Sequence, residues 1–389
     1  MTSLPPPREL PPEVRARLRE NVLAGIERPS RRGWLVAAAA VLLVAGGVTG
    51  VQLLRTGPDS STLGTASGPV DRCWAAARAA GKAGQLPDRK NWRTVSTASQ
   101  GDDVVTGFSA GGKTMFCETT ATTVTLSDPD AKVSYAKGTR TALLLYTGTG
   151  LAAGIADPSW HGIELSMPDG LGITSALFET KSREFALFTG TDPAKTMLWA
   201  GDTIKGQRTR PGPRVQLPAP PPPLFTVVDR PGDRGSREGH ALGACLAALP
   251  APLAGADGYQ PGALLEDGGY QVVLGRNAGH AIACVTEPGR PHTVLYVDTY
   301  IGESIPVRRL SVPQVGSKVP FVGITPQSAT TMKADFGLAE PQYPTVLNGT
   351  FAMWLPPGAR PVDPARGETS VQVDDARGAS LFNGYVPMR

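Results

Sequence analysis

The chain has 389 residues, of which 41% are hydrophobic, so it can build a hydrophobic core and is not globally disordered. Its formal net charge is only +4, and its Lys and Arg residues are scattered rather than gathered in a stripe, which argues against a nucleic-acid partner. The 46 glycines and 37 prolines, together with only 6% aromatic residues, favour strands broken by turns over long helices.

Residues 1–33 carry a local excess of arginine and are predicted to form a cytoplasmic tail. The apolar residues Val14, Leu18 and Val22 recur at helical spacing after Pro11, which suits the start of a helix. We therefore expect a short amphipathic helix that leads to the membrane.

A run without charged residues follows at 34–54, WLVAAAAVLLVAGGVTGVQLL, and it is long enough to cross a hydrocarbon core of about 30 Å. Arg28, Arg31 and Arg32 precede the run, whereas only Arg55 follows it directly, so the positive-inside rule places the N-terminus in the cytoplasm. The alternative is a cleaved signal peptide, but the run is longer than a typical signal h-region and no clear A-x-A site follows. We predict a single-pass protein of the cell membrane, held in the lipid bilayer by residues 34–54, with its C-terminal lobes outside.

The stretch PPEVRARLRENVLAGIERPSRRGWLVAAAAVLLVAGG, within about residues 10–55, resembles the juxtamembrane and spanning segment of bacterial membrane-anchored anti-sigma factors. It also resembles companion proteins encoded with extracytoplasmic-function sigma factors. The zinc-containing sigma-binding domain of that family is not part of the resemblance. The resemblance implies a cytoplasmic protein partner for the tail and a link to envelope-stress signalling.

The residues after the membrane segment read as two copies of one sequence. A Gly-, Ser-, Thr- and Pro-rich spacer at 55–69 precedes lobe 1, predicted at 70–206, and lobe 2 is predicted at 225–389. Between them, residues 207–224 include PAPPPP and predict an extended, semi-rigid polyproline linker. The predicted fold class is α+β, mostly β, with one transmembrane helix followed by two tandem disulfide-closed lobes, each with a helix and an antiparallel sheet.

Four cysteines fall into two separated pairs, one pair in each copy: Cys73, Cys117, Cys245 and Cys284. None belongs to a CxxC, and no histidine has ligand spacing, which argues against zinc; free buried thiols are the other alternative. Because thiols outside the membrane can oxidise, we predict disulfides. If the copies are real, each bridge forms within a copy and joins an opening helix, CWAAARAAGKAG or CLAALPAPLAG, to a hairpin strand.

The copies share further short sequences, in which VVTG at 104–107 matches VVLG at 272–275. Downstream, GI at 154–155 is followed by FALF at 185–188 in the first copy, and GI at 323–324 is followed by FAMW at 351–354 in the second. Between these sequences lie runs in which apolar and polar residues alternate. This pattern predicts antiparallel strands. The second part of each copy resembles the β-rich exported segments of many uncharacterised membrane-anchored proteins of high-GC bacteria, which implies a shared architecture and no known activity.

Two catalytic motifs overlap in lobe 1. Residues 107–114, GFSAGGKT, satisfy the GxxxxGK[ST] pattern of a phosphate-binding loop, and GFSAG also matches the G-x-S-x-G of a serine nucleophile elbow. Both motifs need a helix directly after the loop, whereas the next residues, MFCETTATTVTL, are rich in β-branched side chains and predict a strand. The equivalent loop of the second copy, GRNAGHA at 275–281, lacks the Lys-Thr pair. We therefore predict a hairpin turn in both copies and no bound cofactor.

Other polar residues have simpler interpretations. The pairs Asp102-Asp103 and Glu266-Asp267 could bind a cation, but acidic residues beside glycine are ordinary in turns. His280 is predicted to be a solvated surface residue, and Asn348, although it begins a glycosylation sequon, is predicted to mark a turn. Four tryptophans are predicted core or lobe-interface residues: Trp92, Trp160, Trp199 and Trp354.

These patterns predict a non-catalytic binding or sensing protein that contacts a protein or glycan outside the cell through its β surface. An exported hydrolase and a structural envelope protein are the alternatives. An enzyme should have one concave pocket with converging polar groups, whereas a binding module should have a flat or inter-lobe surface. No catalytic, metal or cofactor residue is predicted.

Overall fold

The structure is a computed structural model that describes residues 68–168, 174–177, 183–203, 214–249, 251–253, 255–301 and 306–388. All of these residues belong to one compact unit. The predicted tail and membrane segment, and all but the last two residues of the predicted spacer, lie outside the described residues. Within the described residues, no helix is both long enough and apolar enough to cross a membrane.

Residues 68–228 are called here the N-terminal half. Its helix α1 spans Pro69–Ala79, and its strands are β1 (Arg93–Gln100), β2 (Asp103–Ala110), β3 (Lys113–Thr119), β4 (Thr123–Leu126), β5 (Ala142–Tyr146), β6 (Leu151–Ile155), β7 (Gly162–Ser166), β8 (Thr174–Leu177), β9 (Glu184–Phe188), β10 (Trp199–Asp202), β11 (Val215–Gln216) and β12 (Phe225–Val228). They form three antiparallel sheets with the orders β1-β2-β3-β4-β12, β5-β6-β9 and β11-β10-β7-β8.

These elements stack in four layers. Helix α1 has Pro69 at its first position, where a missing N–H costs nothing, and buries Cys73 against one face of the five-stranded sheet. Phe116 on the other face packs against the β5-β6-β9 sheet. The far side of that sheet, with Phe185, packs against Ile163 of the outer sheet. Because successive side chains of a strand point to opposite faces, each inner sheet packs against the layer on either side of it.

Residues 229–388 are called the C-terminal half. Its helix α2 spans Arg237–Ala247, and its strands are β13 (Gln260–Asp267), β14 (Tyr270–Arg276), β15 (His280–Glu287), β16 (Arg290–Tyr300), β17 (Arg308–Arg309), β18 (Pro320–Ile324), β19 (Ala329–Asp335), β20 (Thr345–Leu347), β21 (Thr350–Trp354), β22 (Glu368–Asp375) and β23 (Ser380–Pro387). The antiparallel sheets have the orders β13-β14-β15-β16, β17-β18-β21-β20 and β19-β22-β23.

The C-terminal half is also layered. Helix α2 packs on Val273 of the first sheet, whose other face packs through Leu274 against Val322 of the second sheet. The far face of the second sheet, with Phe321, packs against Val371 of the third. The mostly β, antiparallel character of the prediction is therefore confirmed for the described residues.

Both predicted disulfides are present, Cys73–Cys117 and Cys245–Cys284, and each joins a helix to the third strand of the sheet beneath it. The prediction that Cys245 opens a helix is wrong, because α2 ends only two residues after it. The helix begins earlier than predicted because the Ser236 side chain caps it by accepting a hydrogen bond from the Gly239 N–H.

The predicted alignment of strand β2 with strand β14, the second strands of the two halves, is also wrong, by one residue. The second-strand residue that lies opposite the disulfide cysteine is Thr106 in the N-terminal half and Val273 in the C-terminal half. The match of 104–107 with 272–275 pairs Thr106 instead with Leu274. Since side chains alternate between faces, a shift of one residue exchanges the helix side of the sheet with the inter-sheet side.

The predicted linker, residues 207–224, is not a free spacer in its described part, 214–224. Strand β11 pairs with β10, and Leu217 is buried in the core beside them. Strand β12 lies within the predicted bounds of lobe 2, which begins at residue 225, but it pairs with β4 of the N-terminal half. The reason is the apolar and β-branched character of these segments. The core of the N-terminal half takes up Val215 and Leu217, and the open edge of strand β4 pairs with the β-branched residues of β12.

Candidate functional site

The GFSAGGKT motif, residues 107–114, forms a β hairpin, as predicted. Strand β3 follows strand β2 after the two-residue turn Gly111-Gly112, whose φ angles are +60° and +80°. Positive φ at both positions is the requirement of a type I′ turn, which glycine meets without strain. Lys113 forms an ion pair with Asp130. Because a strand follows the loop, neither the phosphate loop nor the nucleophile elbow has its required helix.

The two predicted carboxylate pairs have different surroundings. Glu266-Asp267 forms ion pairs with Arg237 and Lys318 beside a glycine turn. Asp102 is exposed in the turn between β1 and β2, whereas Asp103 is partly buried. The described part of the chain contains no group of three acidic, His or Cys residues that could hold a metal ion.

The remaining predicted residues are placed as follows. Asn348 has a φ of +47° and forms the turn between β20 and β21, which confirms its predicted role. His280 is half-buried rather than solvated, and its ring contacts that of Tyr300 edge-on with 5.6 Å between centroids. The tryptophans occupy core or half-buried positions: Trp92, Trp160, Trp199 and Trp354.

Two adjoining cavities lie between the N-terminal and C-terminal halves. Cavity A has a volume of about 250 Å³ and cavity B a volume of about 480 Å³. Thr149, Asn277 and Ala278 line both, so the two cavities form one cleft. The cleft is walled by the β1–β2 and β5–β6 turns of the N-terminal half and by the β14–β15 turn of the C-terminal half.

Glu118 is a buried acidic side chain in the wall of cavity B, with only 2% of its surface exposed. Its Oε1 accepts hydrogen bonds from the hydroxyl groups of Thr147, at 2.9 Å, and Thr149. Burial raises the pKa of the Glu118 carboxyl to about 7, against the lowering effect of these two hydrogen bonds. Glu118 can therefore exchange a proton near neutral pH.

The stability of the protein should depend on this proton. The pKa of Glu118 is about 7 in the folded chain and about 4.3 in an unfolded one. Between these values the folded state holds a proton that the unfolded state has released. The free energy of unfolding should therefore fall as pH rises from 4.5 to 7, by up to about 1.4 kcal/mol per pH unit from this group, and level off above.

Chemical denaturation at pH 5, 6, 7 and 8 measures this slope. In Glu118→Gln the side chain is uncharged at every pH, so the free energy of unfolding should depend less steeply on pH. Glu340→Gln makes the same change at an exposed position and should leave the slope unaltered. An equal slope in Glu118→Gln and the unmodified chain would contradict the assignment.

Asp103 and Arg276 line cavity A from opposite halves of the chain. Burial raises the pKa of Asp103 to about 8, and the charge of Glu118 adds to the rise, while Arg276 opposes it. The Arg276 Nη1 donates hydrogen bonds to the carbonyl oxygens of Thr325, at 2.6 Å, and Gly349, at 2.8 Å. Its Nε is buried without a hydrogen-bond partner. No ion pair joins Asp103 to Arg276.

Contacts beside the cleft hold the two halves together. The Tyr300 hydroxyl of the C-terminal half donates to the carbonyl oxygen of Thr191 at 2.9 Å, and the Thr191 hydroxyl lies 2.6 Å from that of Tyr146. Gly279 lies so close to Gly148 that a Cβ on it would overlap the Gly148 carbonyl oxygen. The two halves are therefore in direct contact beside the cleft, and these contacts fix the position of its walls.

Sequence reasoning missed most of this site. The sequence pattern marks Asp103 as a turn residue, with cation binding as the alternative, and it does not single out Glu118 or Arg276. Two repeated T-G-T sequences, at 147–149 and 189–191, together with an acidic residue inside the β-branched run after Cys117, were the available signals.

A scan against protein-family models and a search of curated proteins found no match to this chain. The evidence for the candidate site is therefore its own geometry and electrostatics.

Proposed function

We propose that the chain is a non-catalytic, membrane-anchored binding or sensing protein, and that its ligand occupies the cleft between the two halves. One observation carries this proposal: titratable groups from both halves, Asp103, Glu118 and Arg276, converge on the cleft, where, among the described residues, Arg276 Nε is buried without a hydrogen-bond partner and Asp103 has no ion pair. A buried polar group without a partner is costly in a folded protein, and perturbed titratable groups cluster at functional sites, so their coincidence in one cleft supports a ligand site there. The predicted anchor is the segment at 34–54.

The two halves are proposed to be copies of one module, which places the cleft at the junction of the copies. The strands follow one another in the same order, β1 to β4 like β13 to β16 and β5 to β11 like β17 to β23, and one helix precedes β1 as another precedes β13. One close contact also recurs. Gly154 lies opposite Phe185, and Gly323 lies opposite Phe351. In each case a Cβ on the glycine would press on the phenylalanine ring.

A route for a signal follows from this arrangement. Helix α1 begins at Pro69, the last residue of the predicted spacer, so it is the described element nearest in sequence to the predicted membrane segment. The tail at 1–33 would then pass the bound state to a cytoplasmic protein. Its resemblance to anti-sigma juxtamembrane segments favours a partner in sigma-factor signalling.

Filling the cleft should abolish ligand binding. Ala278 lines both cavities, so the indole of Ala278→Trp would occupy the space that a ligand needs. The full chain in lipid nanodiscs is screened by thermal unfolding against amino acids, monosaccharides and disaccharides. A ligand at 100 times its dissociation constant should stabilise the folded state by about 2.7 kcal/mol.

Ala379→Trp makes the same change in an exposed turn and serves as the control. We expect a ligand that raises the melting temperature of the unmodified chain and of Ala379→Trp, but not of Ala278→Trp. A shift that persists in Ala278→Trp would place the ligand outside the cleft, and a panel without any shift would count against a binding function.

An exported hydrolase is the second candidate, and one observation favours it. Asp103 and Glu118 project from the same face of the β2–β3 pair, since Glu118 lies opposite Val105, two residues from Asp103. Both carboxyl groups have pKa values raised to near neutrality, which suits a general acid. Turnover of 4-nitrophenyl glycosides that disappears in Glu118→Gln would favour the hydrolase, whereas binding without turnover would favour the binding protein.

A further inference from the structure

We infer that cavity A binds a small zwitterion of the α-amino acid class, with its carboxylate on Arg276 and its ammonium group on Asp103. This inference rests on the proposed binding function and names the ligand class for the same cleft.

The carboxylate subsite follows from the donors that Arg276 leaves unused. Its Nη1 is occupied by two backbone carbonyl oxygens, which accept hydrogen bonds but do not neutralise the charge. The Nε and Nη2 on the other edge of the guanidinium have no hydrogen-bond partner among the described residues, and Nε is buried. Two parallel N–H groups on one edge of a guanidinium are the arrangement that holds a carboxylate in bidentate fashion.

The ammonium subsite follows from the surroundings of Asp103. This carboxyl is partly buried and lines cavity A, yet in the described structure it has neither an ion pair nor a hydrogen bond. Asp102 lies next to it at the exposed rim of the same cavity and adds negative potential. An ammonium group would supply both the missing donor and the opposite charge.

The presence of both charges selects a zwitterion over a simple ion. Asp102, together with Asp103 once it is ionised, would repel a plain anion from the cavity, and Arg276 would repel a plain cation. The neutral side chains of Gln260 and Gln327 also line the cavity. Its volume of about 250 Å³ is below the range of about 300–1,000 Å³ usual for drug-sized ligands, so a single small molecule fits best.

Binding should release a proton. In the empty cavity the pKa of Asp103 is about 8, so at pH 7 its carboxyl is mainly protonated, whereas a bound ammonium group requires the ionised form. Affinity should therefore rise nearly tenfold per pH unit as pH increases towards 8 and then level off.

The test uses isothermal titration calorimetry of the full chain in nanodiscs, with L-alanine and D-alanine as probes. Propionate lacks the ammonium group and ethylamine lacks the carboxylate, so these are the matched control ligands. We expect one or both enantiomers to bind at least tenfold more tightly than either control. Repeating the titration at pH 7 in two buffers of different ionisation enthalpy measures the released proton.

Asp103→Asn keeps the shape of the side chain and should weaken alanine binding at least tenfold, without proton release. Asp102→Asn, at the exposed rim, should have a much smaller effect. Arg276→Gln should also abolish binding, but Arg276 clamps two backbone carbonyls, so the Asp103 variant is the one that separates ligand binding from folding.

Three outcomes would overturn the inference. Propionate could bind as tightly as alanine, or Asp103→Asn could bind alanine normally. Alternatively, alanine and every other amino acid of the screen could fail to bind while the screen yields a sugar that Ala278→Trp excludes, in which case the binding function stands and the zwitterion class falls. If neither experiment finds a ligand, both proposals fail.

Discussion

Replacing Cys73 and Cys117 together with alanine should lower the free energy of unfolding by about 4 kcal/mol, from the chain entropy that a loop of this length releases. The two cysteines are 44 residues apart in sequence and are both buried. Trp74 and Trp92, whose rings meet edge-on beside the bridge, make the transition visible by fluorescence. Urea denaturation of the full chain, monitored in this way, measures the loss.

The second bridge provides the matched comparison. Cys245 and Cys284 are 39 residues apart, and because the entropy depends only logarithmically on loop length, their replacement should cost nearly the same. Adding reductant to the unmodified chain breaks both bridges, so it should lower the free energy of unfolding by the sum of the two losses. A change below about 1 kcal/mol in the Cys73/Cys117 variant would show that the bridge does not restrain the unfolded chain as the loop-entropy account requires.

Gly154→Ala should destabilise the protein by about 3 kcal/mol, because overpacking a core typically costs about 1–3 kcal/mol and a disrupted strand hydrogen bond adds about 1 kcal/mol. A Cβ at this position would overlap the carbonyl oxygen of Ala142 on the neighbouring strand and lie 3.0 Å from the Phe185 ring. Strands β5 and β6 would have to separate to make room. Thermal and urea unfolding of the variant test this result.

Two further glycines make the experiment decisive. Gly84→Ala adds a methyl group where no atom lies within 4 Å, so it should change the stability by less than about 0.5 kcal/mol. Gly323→Ala should cost as much as Gly154→Ala, since its Cβ would overlap the Arg308 carbonyl oxygen and meet the Phe351 ring. A neutral Gly154→Ala would contradict the packing argument, and a tolerated Gly323→Ala would count against copies of one module.

Local features of the fold could be predicted from the sequence. The Gly111-Gly112 and Asn348-Gly349 turns are encoded by residues that accept positive φ, and the alternating runs on either side of them predict their strands. The pairing of the cysteines followed from their placement in two similar stretches. Each of these features depends on residues close together in sequence or on a short repeated pattern.

Features that depend on packing between distant segments could not be predicted. The environment of Glu118 is created by Thr147 and Thr149 from the β5–β6 turn, and Asp103 and Arg276 reach cavity A from different halves. The one-residue misalignment of the second strands has the same origin. The similar sequences VVTG and VVLG suggest one alignment, whereas the pairing with the neighbouring strand determines which side chains face the helix.

The passage from one half to the other limits how a bound molecule can be reported. Strand β12 belongs to the N-terminal sheet, and directly after it Asp229 receives two hydrogen bonds, each of 2.7 Å, from Arg72 of α1. Arg72 also donates to the backbone carbonyl oxygen of Thr120. These hydrogen bonds hold the crossover segment against α1. We therefore expect no hinge at this segment about which the two halves could close on a ligand. Occupancy should alter amide exchange at the rims of the cavities and along α1, with little change in the overall dimensions of the molecule.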